Sequence, residues 1–254
     1  MPLWHWLYEH YFRVKTSGWE HIDPCQQTLF VGAHNGGLAA PDLPMFFYDW
    51  FRRVGYGPEV YGLMHAKVWR AYPDVARLAA KFGAIPFYAR NALAVLQQGA
   101  SVLVYPGGGQ EAFRPYWDRD RICFYRRTGF IRLALWHSLP IVPLISWGAH
   151  DTLLVLANCY EQARYLHERG LPWPFDIDPE VLPVYLGLPW GLAVGPVPHL
   201  PWPVQMHTRV CPPITFDRCG YAASRDRTYV QACYRQVVET MQRALTALAQ
   251  TVEG

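Results

Sequence analysis

Charge is scarce in this chain. Only 17% of its 254 residues are charged, and Lys15, Lys67 and Lys81 are the only lysines. A net charge of +3 lacks the dense cationic field that binding to nucleic acid requires, so no nucleic-acid partner is expected. The 6 cysteines (Cys25, Cys123, Cys159, Cys211, Cys219 and Cys233) form no Cys-x-x-Cys pair. That excludes a zinc ribbon or dithiol redox motif, predicts free thiols of a reducing compartment, and leaves no expected metal. Every long apolar stretch is broken by proline or charge, which excludes a membrane-spanning helix. Glu9, Arg13 and Lys15 interrupt the N-terminal apolar segment, which therefore does not read as a signal peptide. Gly-x-Ser-x-Gly is missing, Ser146-Trp147-Gly148 being half of it; so are a Walker loop and His-Glu-x-x-His. The serine-hydrolase, P-loop and zincin chemistries go with them.

What is abundant is apolar and aromatic: 51% hydrophobic residues, 11 Trp, 16 Tyr and 22 Pro. This length and composition suit one large domain over residues 1–254 with a substantial core. Trp and Tyr also suit a surface with one wet and one oily side. Trp4, Trp6, Leu7, Tyr8, Tyr11 and Phe12 fall at roughly helical spacing. Residues 1–20 are expected to form an N-terminal helix that packs on the domain or faces a bilayer. Residues 171–209 carry a series of prolines with Trp173, Trp190 and Trp202, and no Asp, Glu, Lys or Arg stands between Glu180 and Arg209. Proline forbids a long helix there; the segment reads as strands and loops covering the sheet, or as an interfacial element. Val230, Cys233, Val237, Met241, Leu245 and Leu248 share one face of a C-terminal amphipathic helix.

Short apolar runs alternate with helical patterns through residue 150. Strands are expected at Thr28–Gly32, Val60–Met64, Ser101–Tyr105 and Pro140–Ser146. Helices are expected at Leu43–Val54, Pro73–Phe82, Asn91–Gln98 and Phe130–His137. Gly83 and Gly99 stand where C-terminal caps belong. The alternation predicts an α/β fold with a mostly parallel central sheet and flanking helices.

Two strand ends carry chemistry. The first strand runs into His34-Asn35-Gly36-Gly37, with Asp42 opening the next helix. A neutral imidazole can take a proton from a hydroxyl, and a carboxylate on its other nitrogen would fix the tautomer. A hydrogen-bonded turn histidine and an N-capping Asp42 are the alternative reading. The strand ending at Tyr105 runs into Pro106-Gly107-Gly108-Gly109-Gln110-Glu111, with Arg114 beyond. Free backbone N–H groups in such a loop can hold a phosphate or an oxyanion. With no nucleophile of its own, a His–Asp pair implies that the attacking group comes from a substrate alcohol.

The order of these motifs resembles the glycerolipid acyltransferase superfamily, over about Tyr11 to Ile214. His34 to Asp42 is similar to its first block, Gly83 to Asn91 (with Arg90) to its second, Tyr105-Pro106-Gly107 to its third and Pro140 to Leu144 to its fourth. The run Gly108 to Ala112, then Arg127-Thr128-Gly129-Phe130-Ile131-Arg132-Leu133-Ala134, resembles the diacylglycerol acyltransferase type-two branch and its bacterial relatives. The resemblance implies an O-acyltransferase moving an acyl group from an acyl thioester to a lipid hydroxyl. Acyl-CoA or acyl carrier protein would be co-substrate, with no bound cofactor, and the enzyme would be peripheral or monotopic on the cytoplasmic face of a membrane. It makes His34 the base, with Asp42 or Glu111 orienting it. The amides of Gly107, Gly108 and Gly109 would serve the oxyanion. Asn35, Gly36, Arg90, Arg114 and Arg127 would serve substrate, the arginines by holding donor phosphates or a head group. Two departures stand out: seven residues rather than four separate His34 from Asp42, and Gly107 replaces the glutamate of the usual Pro-Glu-Gly. The second favours a neutral acceptor over lysophosphatidate. A lysophospholipid acyltransferase, a lipid hydrolase or thioesterase, and a non-catalytic lipid-binding protein are the competing readings.

Overall fold

The computed structural model describes residues 2–55, 57, 59–173 and 178–253. Its strands are β1 (Lys15–Ser17), β2 (Leu29–Gly32), β3 (Val60–Met64), β4 (Ala84–Pro86), β5 (Ser101–Val104), β6 (Ile141–Trp147), β7 (Leu154–Asn158), β8 (Pro183–Gly187), β9 (Gly191–Val194) and β10 (His207–Val210). The α-helices are α1 (Pro2–Trp6), α2 (Asp42–Arg53), α3 (Ala66–Ala71), α4 (Pro73–Ala80), α5 (Ala89–Gln97), α6 (Gly108–Ala112), α7 (Gly129–His137), α8 (Tyr160–His167), α9 (Tyr221–Arg225) and α10 (Arg227–Glu253).

Seven strands form the main sheet in the order β1-β10-β6-β2-β5-β3-β4. β6, β2, β5, β3 and β4 run parallel; β10 is antiparallel to β6, and β1 pairs with β10. The expected mostly parallel sheet is therefore present, and the strands β10 and β1 beyond β6 are an addition to that expectation. Their short, mixed sequences carry no period-2 apolar signal. The central strands β2 and β5 are buried at every residue, as strands covered on both faces must be. Their side chains alternate between two layers. Phe30 and Leu103 meet Phe46, Phe47 and Trp50 of α2 on one face. Leu29, Val31, Val102 and Val104 meet α7 and the apolar stripe of α10 on the other. That stripe is the expected one: Val230, Cys233, Val237, Met241, Leu245 and Leu248 are all buried.

The N-terminal expectation needs correction. Residues 1–20 are not one membrane-facing helix: α1 passes through a π-turn at Leu7–Tyr11 into the edge strand β1. Tyr8, Phe12 and Val14 are buried against Met45, Ala149 and Met206. Burial of those three rings and branches holds the segment on the domain and leaves Leu3 and Trp6 outside. Residues 171–209 divide in two. β8 and β9 join β7 in a separate antiparallel sheet of 3 strands, while His207–Val210 enters the main sheet as β10. The prolines at 172 to 203 lie outside or at the ends of these strands, where a missing N–H costs least. Pro174 and the rest of 174–177 lie outside the described residues. Among the described residues no helix is long and apolar enough to cross a membrane.

Candidate active site

The carboxyl ends of the parallel strands converge on one edge, where open α/β sheets bind their ligands. β2 delivers His34, β5 delivers Tyr105 and the glycine run, β3 delivers His65 and Lys67, and β4 delivers Tyr88 and Arg90. β2 sits between β5 and β6, so its end is at the centre of this row.

The loop from His34 to Gly37 is fixed at nearly every polar atom. His34 N–H donates to Glu111 Oε2 at 2.9 Å, and its carbonyl accepts from Arg114 Nη1 at 2.5 Å. Asn35 Oδ1 accepts from Arg114 Nη2 at 2.7 Å, while its Nδ2 donates to Ala33 O and to Asp42 Oδ2 at 2.9 and 3.1 Å. Gly36 N–H points at His150 Nδ1 at 3.5 Å, and Gly36 O accepts from His199 Nε2 at 3.1 Å. Gly37 N–H donates to Ala112 O at 3.0 Å. Gly36 and Gly37 both adopt φ +63°. A Cβ on Gly37 would lie 2.7 Å from both His199 and Leu153. These glycines serve close packing rather than an open, flexible loop.

Several residues expected to hold substrate are therefore structural. Arg114 is 3% exposed, and its guanidinium donors end on the carbonyls of His34, Glu111, Asp118 and Arg119 and on Asn35 Oδ1. No donor is left for a phosphate. Asn35 and Gly36 are buried with it. Arg127 donates to the carbonyls of Pro106 and Gly107 and to Gln110 Oε1, pinning the third block. Arg90 is exposed and stacks 5.3 Å from the Tyr88 ring. It makes no hydrogen bond among the described residues, so of the three arginines it alone stays open for an anion.

The carboxylates also take other places than expected. Neither bonds the His34 ring. Glu111 acts on the backbone, accepting from His34 N and, through Oε1, from Cys123 N at 2.8 Å. Asp42 is in the first turn of α2, behind Pro41 as N-cap. His34 Nδ1 and Asp42 Oδ1 are both buried without a partner. His34 Nε2 has no protein hydrogen-bond partner among the described residues and is not among the fully buried orphaned atoms. The His34 ring packs on Tyr105, with ring centroids 5.1 Å apart. Burial pushes the His34 pKa down to about 4, helped by the charges of Arg114 and His65. Burial raises Asp42 to about 6 against the hydrogen bond from Asn35, and Glu111 to about 7 against the pull of Arg114.

The glycine run is the entry to α6 rather than a nest. Gly107 is its N-cap, and Gly108 N–H donates to Tyr105 O at 3.3 Å. The amides of Gly107 and Gly109 donate to no acceptor among the described residues. A Cβ on Gly107 would sit 2.1 Å from Glu111 Oε2. The Glu111 side chain thus fills the space that a side chain at 107 would occupy.

Residues 78–227 match the diacylglycerol acyltransferase family. The chain belongs to that family. It is 26% identical over 218 residues to 2-acylglycerol O-acyltransferase 1 of Mus musculus, covering 80% of this chain and 64% of that protein. It is 26% identical over 247 residues to an uncharacterised protein of Mycobacterium tuberculosis, covering 97% of this chain and 64% of that one. The chain thus spans a little under two thirds of these relatives. The fold is also that of the Thermotoga maritima 1-acyl-sn-glycerophosphate acyltransferase PlsC: the TM-score is 0.53 at 15% identity, over 98% of this chain and 76% of that one. In this family member, sequence reasoning missed His65, His150 and His199. His150 is 3% exposed, and its Nε2–H donates to Arg114 O at 2.9 Å; burial and Arg114 hold its pKa at about 3. Each is a lone histidine far from the motifs, and only the fold brings it to the loop. Among the described residues no cluster of His, Cys, Asp or Glu is placed to hold a metal.

Two arginines alike in the sequence should now part. Arg114→Met leaves Glu111 buried beside unpaired carbonyls, and should lower stability by about 3–5 kcal/mol in urea denaturation. Arg90→Ala, at an exposed site, should stay within about 0.5 kcal/mol. Equal effects would contradict the assignment of Arg114 to the scaffold.

Proposed function

We propose that the protein is an O-acyltransferase that moves a fatty acyl group from an acyl thioester to the hydroxyl of a neutral lipid at a membrane surface. The observation that carries this reading is the His34 ring at the end of β2. Its loop is held by hydrogen bonds while Nε2 is left without a protein partner, beside a glycine turn with unpaired amides. The family match and the 2-acylglycerol O-acyltransferase relative support the acyl-transfer class.

In this mechanism Nε2 takes the proton of the acceptor hydroxyl as its oxygen bonds to the thioester carbonyl carbon. The oxyanion that forms is stabilised by the amides of Gly107 and Gly109. Collapse breaks the carbon–sulfur bond, and the thiolate leaves with the proton from the imidazolium. A ring with a pKa near 4 is a weak base. A carboxylate on Nδ1 would strengthen it, and Asp42 Oδ1 is buried nearby without a partner. The charge of Asp42 already reaches Tyr105, whose ring packs on His34. Asp42 is therefore the residue we assign to the imidazolium, and Glu111 to holding the loop. Arg90, exposed beyond the end of β4, suits the phosphates of a thioester donor, whereas Lys67 is held by Glu180 and by Asp178 O.

The neutral acceptor follows from the third block. Gly107 has no side chain, Glu111 is turned onto backbone amides, and Arg114 is consumed by carbonyls. Nothing in that block is left to demand a phosphate monoester, and a site without such groups does not discriminate for one.

His34→Ala should lower turnover by ~10²–10⁴-fold without loss of fold; unchanged turnover in a folded variant would reject the mechanism. With the ring protonated only below about 4 and Asp42 taking up its proton near 6, the acidic limb of kcat/KM should follow Asp42 and set in near pH 6. An acidic limb whose midpoint stays put in Asp42→Asn would count against Asp42 as the partner of His34. With diacylglycerol, a long-chain alcohol and lysophosphatidate competing in mixed micelles for a radiolabelled acyl-CoA, the neutral acceptors should take most of the label. A product pool dominated by phosphatidate would restore the lysophospholipid reading.

A further inference from the structure

The small sheet has two apolar faces. In its register Leu154, Leu186 and Leu192 lie side by side, as do Val184 and Val194. Cross-strand partners point to the same side of a sheet, and the next residue along points to the other. Val155, Tyr185 and Ala193 therefore form the inner face, and they pack on Phe113, Leu38 and Val181. The outer face is the row of leucines and valines. An antiparallel sheet at a protein surface ordinarily alternates apolar-in with polar-out; this one is aliphatic on both sides.

The outer face is open along β9 and half-buried along β7 and β8. Leu192 is 64% and Val194 57% exposed, and the turn between β8 and β9 adds Leu188 and Trp190, at 44% and 57%. The indole N–H of Trp190 is already satisfied by Pro198 O at 2.7 Å, so its ring can enter an apolar phase at no cost in hydrogen bonding. No Asp, Glu, Lys or Arg stands anywhere between Glu180 and Arg209. β9 is also the edge strand of its sheet, and it has none of the charges or prolines that keep such edges from pairing in water.

We propose that this face is where the protein docks on a lipid surface, lying on the bilayer with the β8–β9 turn in the acyl boundary. The proposal rests on the reading above that the substrates are lipids. A second copy of the chain fits the face less well. Four residues at ~3.3 Å by three strands at ~4.8 Å give a patch of roughly 200 Å², against about 800 Å² per partner in a stable interface. A bilayer needs no such area and has no charge pattern to match. The inner face of the same sheet packs on Phe113, directly after α6, and His199, beyond β9, bonds Gly36. The docked sheet would thus bring the His34 loop to the lipid. The N-terminal segment offers only Leu3 and Trp6 outside the core.

The test is co-sedimentation of the whole chain with vesicles of phosphatidylcholine containing some phosphatidylglycerol. Leu192→Ser/Val194→Ser should lower the partition coefficient by about tenfold or more. Wild-type binding should persist in about 0.5 M salt, where charge-driven binding fades. Leu3→Ser/Trp6→Ser should bind like wild type. Unfolding midpoints check that both variants are folded, and Trp190→Ser gives a second probe outside the strands. Undiminished binding of folded Leu192→Ser/Val194→Ser would overturn the proposal. So would loss of binding in Leu3→Ser/Trp6→Ser alone, or a wild-type dimer in analytical ultracentrifugation that the Leu192→Ser/Val194→Ser change dissociates. Vesicle binding through this face by a protein inert in acyl transfer would sink the acyltransferase reading and leave the docking face standing.

Discussion

A single buried guanidinium holds the candidate site together. Arg114 reaches carbonyls at His34, Glu111, Asp118 and Arg119 and the amide oxygen of Asn35. It ties the end of β2 to the end of α6 and to the turn that follows. Burying that charge is costly. What offsets it is saturation of the planar fork by oxygen acceptors, together with two buried carboxylates close enough to feel its field. The rest of the loop, from Glu111 under the His34 amide to His199 over Gly36, is arranged around this fixed point.

The same burial governs protonation. One cation cannot fully support two carboxylates out of water, so Asp42 and Glu111 are driven up to about 6 and 7. Near neutral pH Glu111 is therefore partly protonated, while Asp42 is mostly ionised. His34 and His150 are driven the other way, to about 4 and 3, by burial and by the Arg114 charge. Between about pH 5 and 6 the folded carboxyls hold protons that the unfolded chain releases, and the folded histidines refuse protons that it binds. The two tendencies have opposite signs in the stability slope, so the network loses little to mild acid. His34 can then stay neutral without the fold being sacrificed to keep it so.

How much of this was visible in the sequence follows from what each feature depends on. The central strands and α10 were legible because burial on both faces leaves short continuous apolar runs at Leu29–Gly32 and Ser101–Val104, and burial of one face leaves a helical period on the Val230–Leu248 stripe. That His34, Gly107 and Glu111 come together was legible because they follow the ends of neighbouring parallel strands. Their roles were not. Whether an arginine meets solvent or five oxygen acceptors of its own chain is set by tertiary packing, and Arg90, Arg114 and Arg127 look alike in one dimension. The N-terminal aromatics were ambiguous for the same reason: Tyr8 and Phe12 suit a core as well as a bilayer. β1 and β10 were hidden because Lys15–Ser17 and His207–Val210 are mostly polar and form no apolar run.

Gly107 and Glu111 share one volume. The Glu111 carboxylate lies where a side chain at 107 would begin, and from there it supplies acceptors for the amides of His34 and Cys123. The two positions therefore cannot drift independently over evolutionary time. Enlarging residue 107 first collides with Glu111; shrinking residue 111 first strands two amides and leaves Arg114 without its nearest counter-charge. A lineage with glutamate at the first position and one with glutamate at the second are separated by a valley that only a paired exchange crosses. The choice between a third block that presents an acid and one that hides it would then, once made, be hard to reverse.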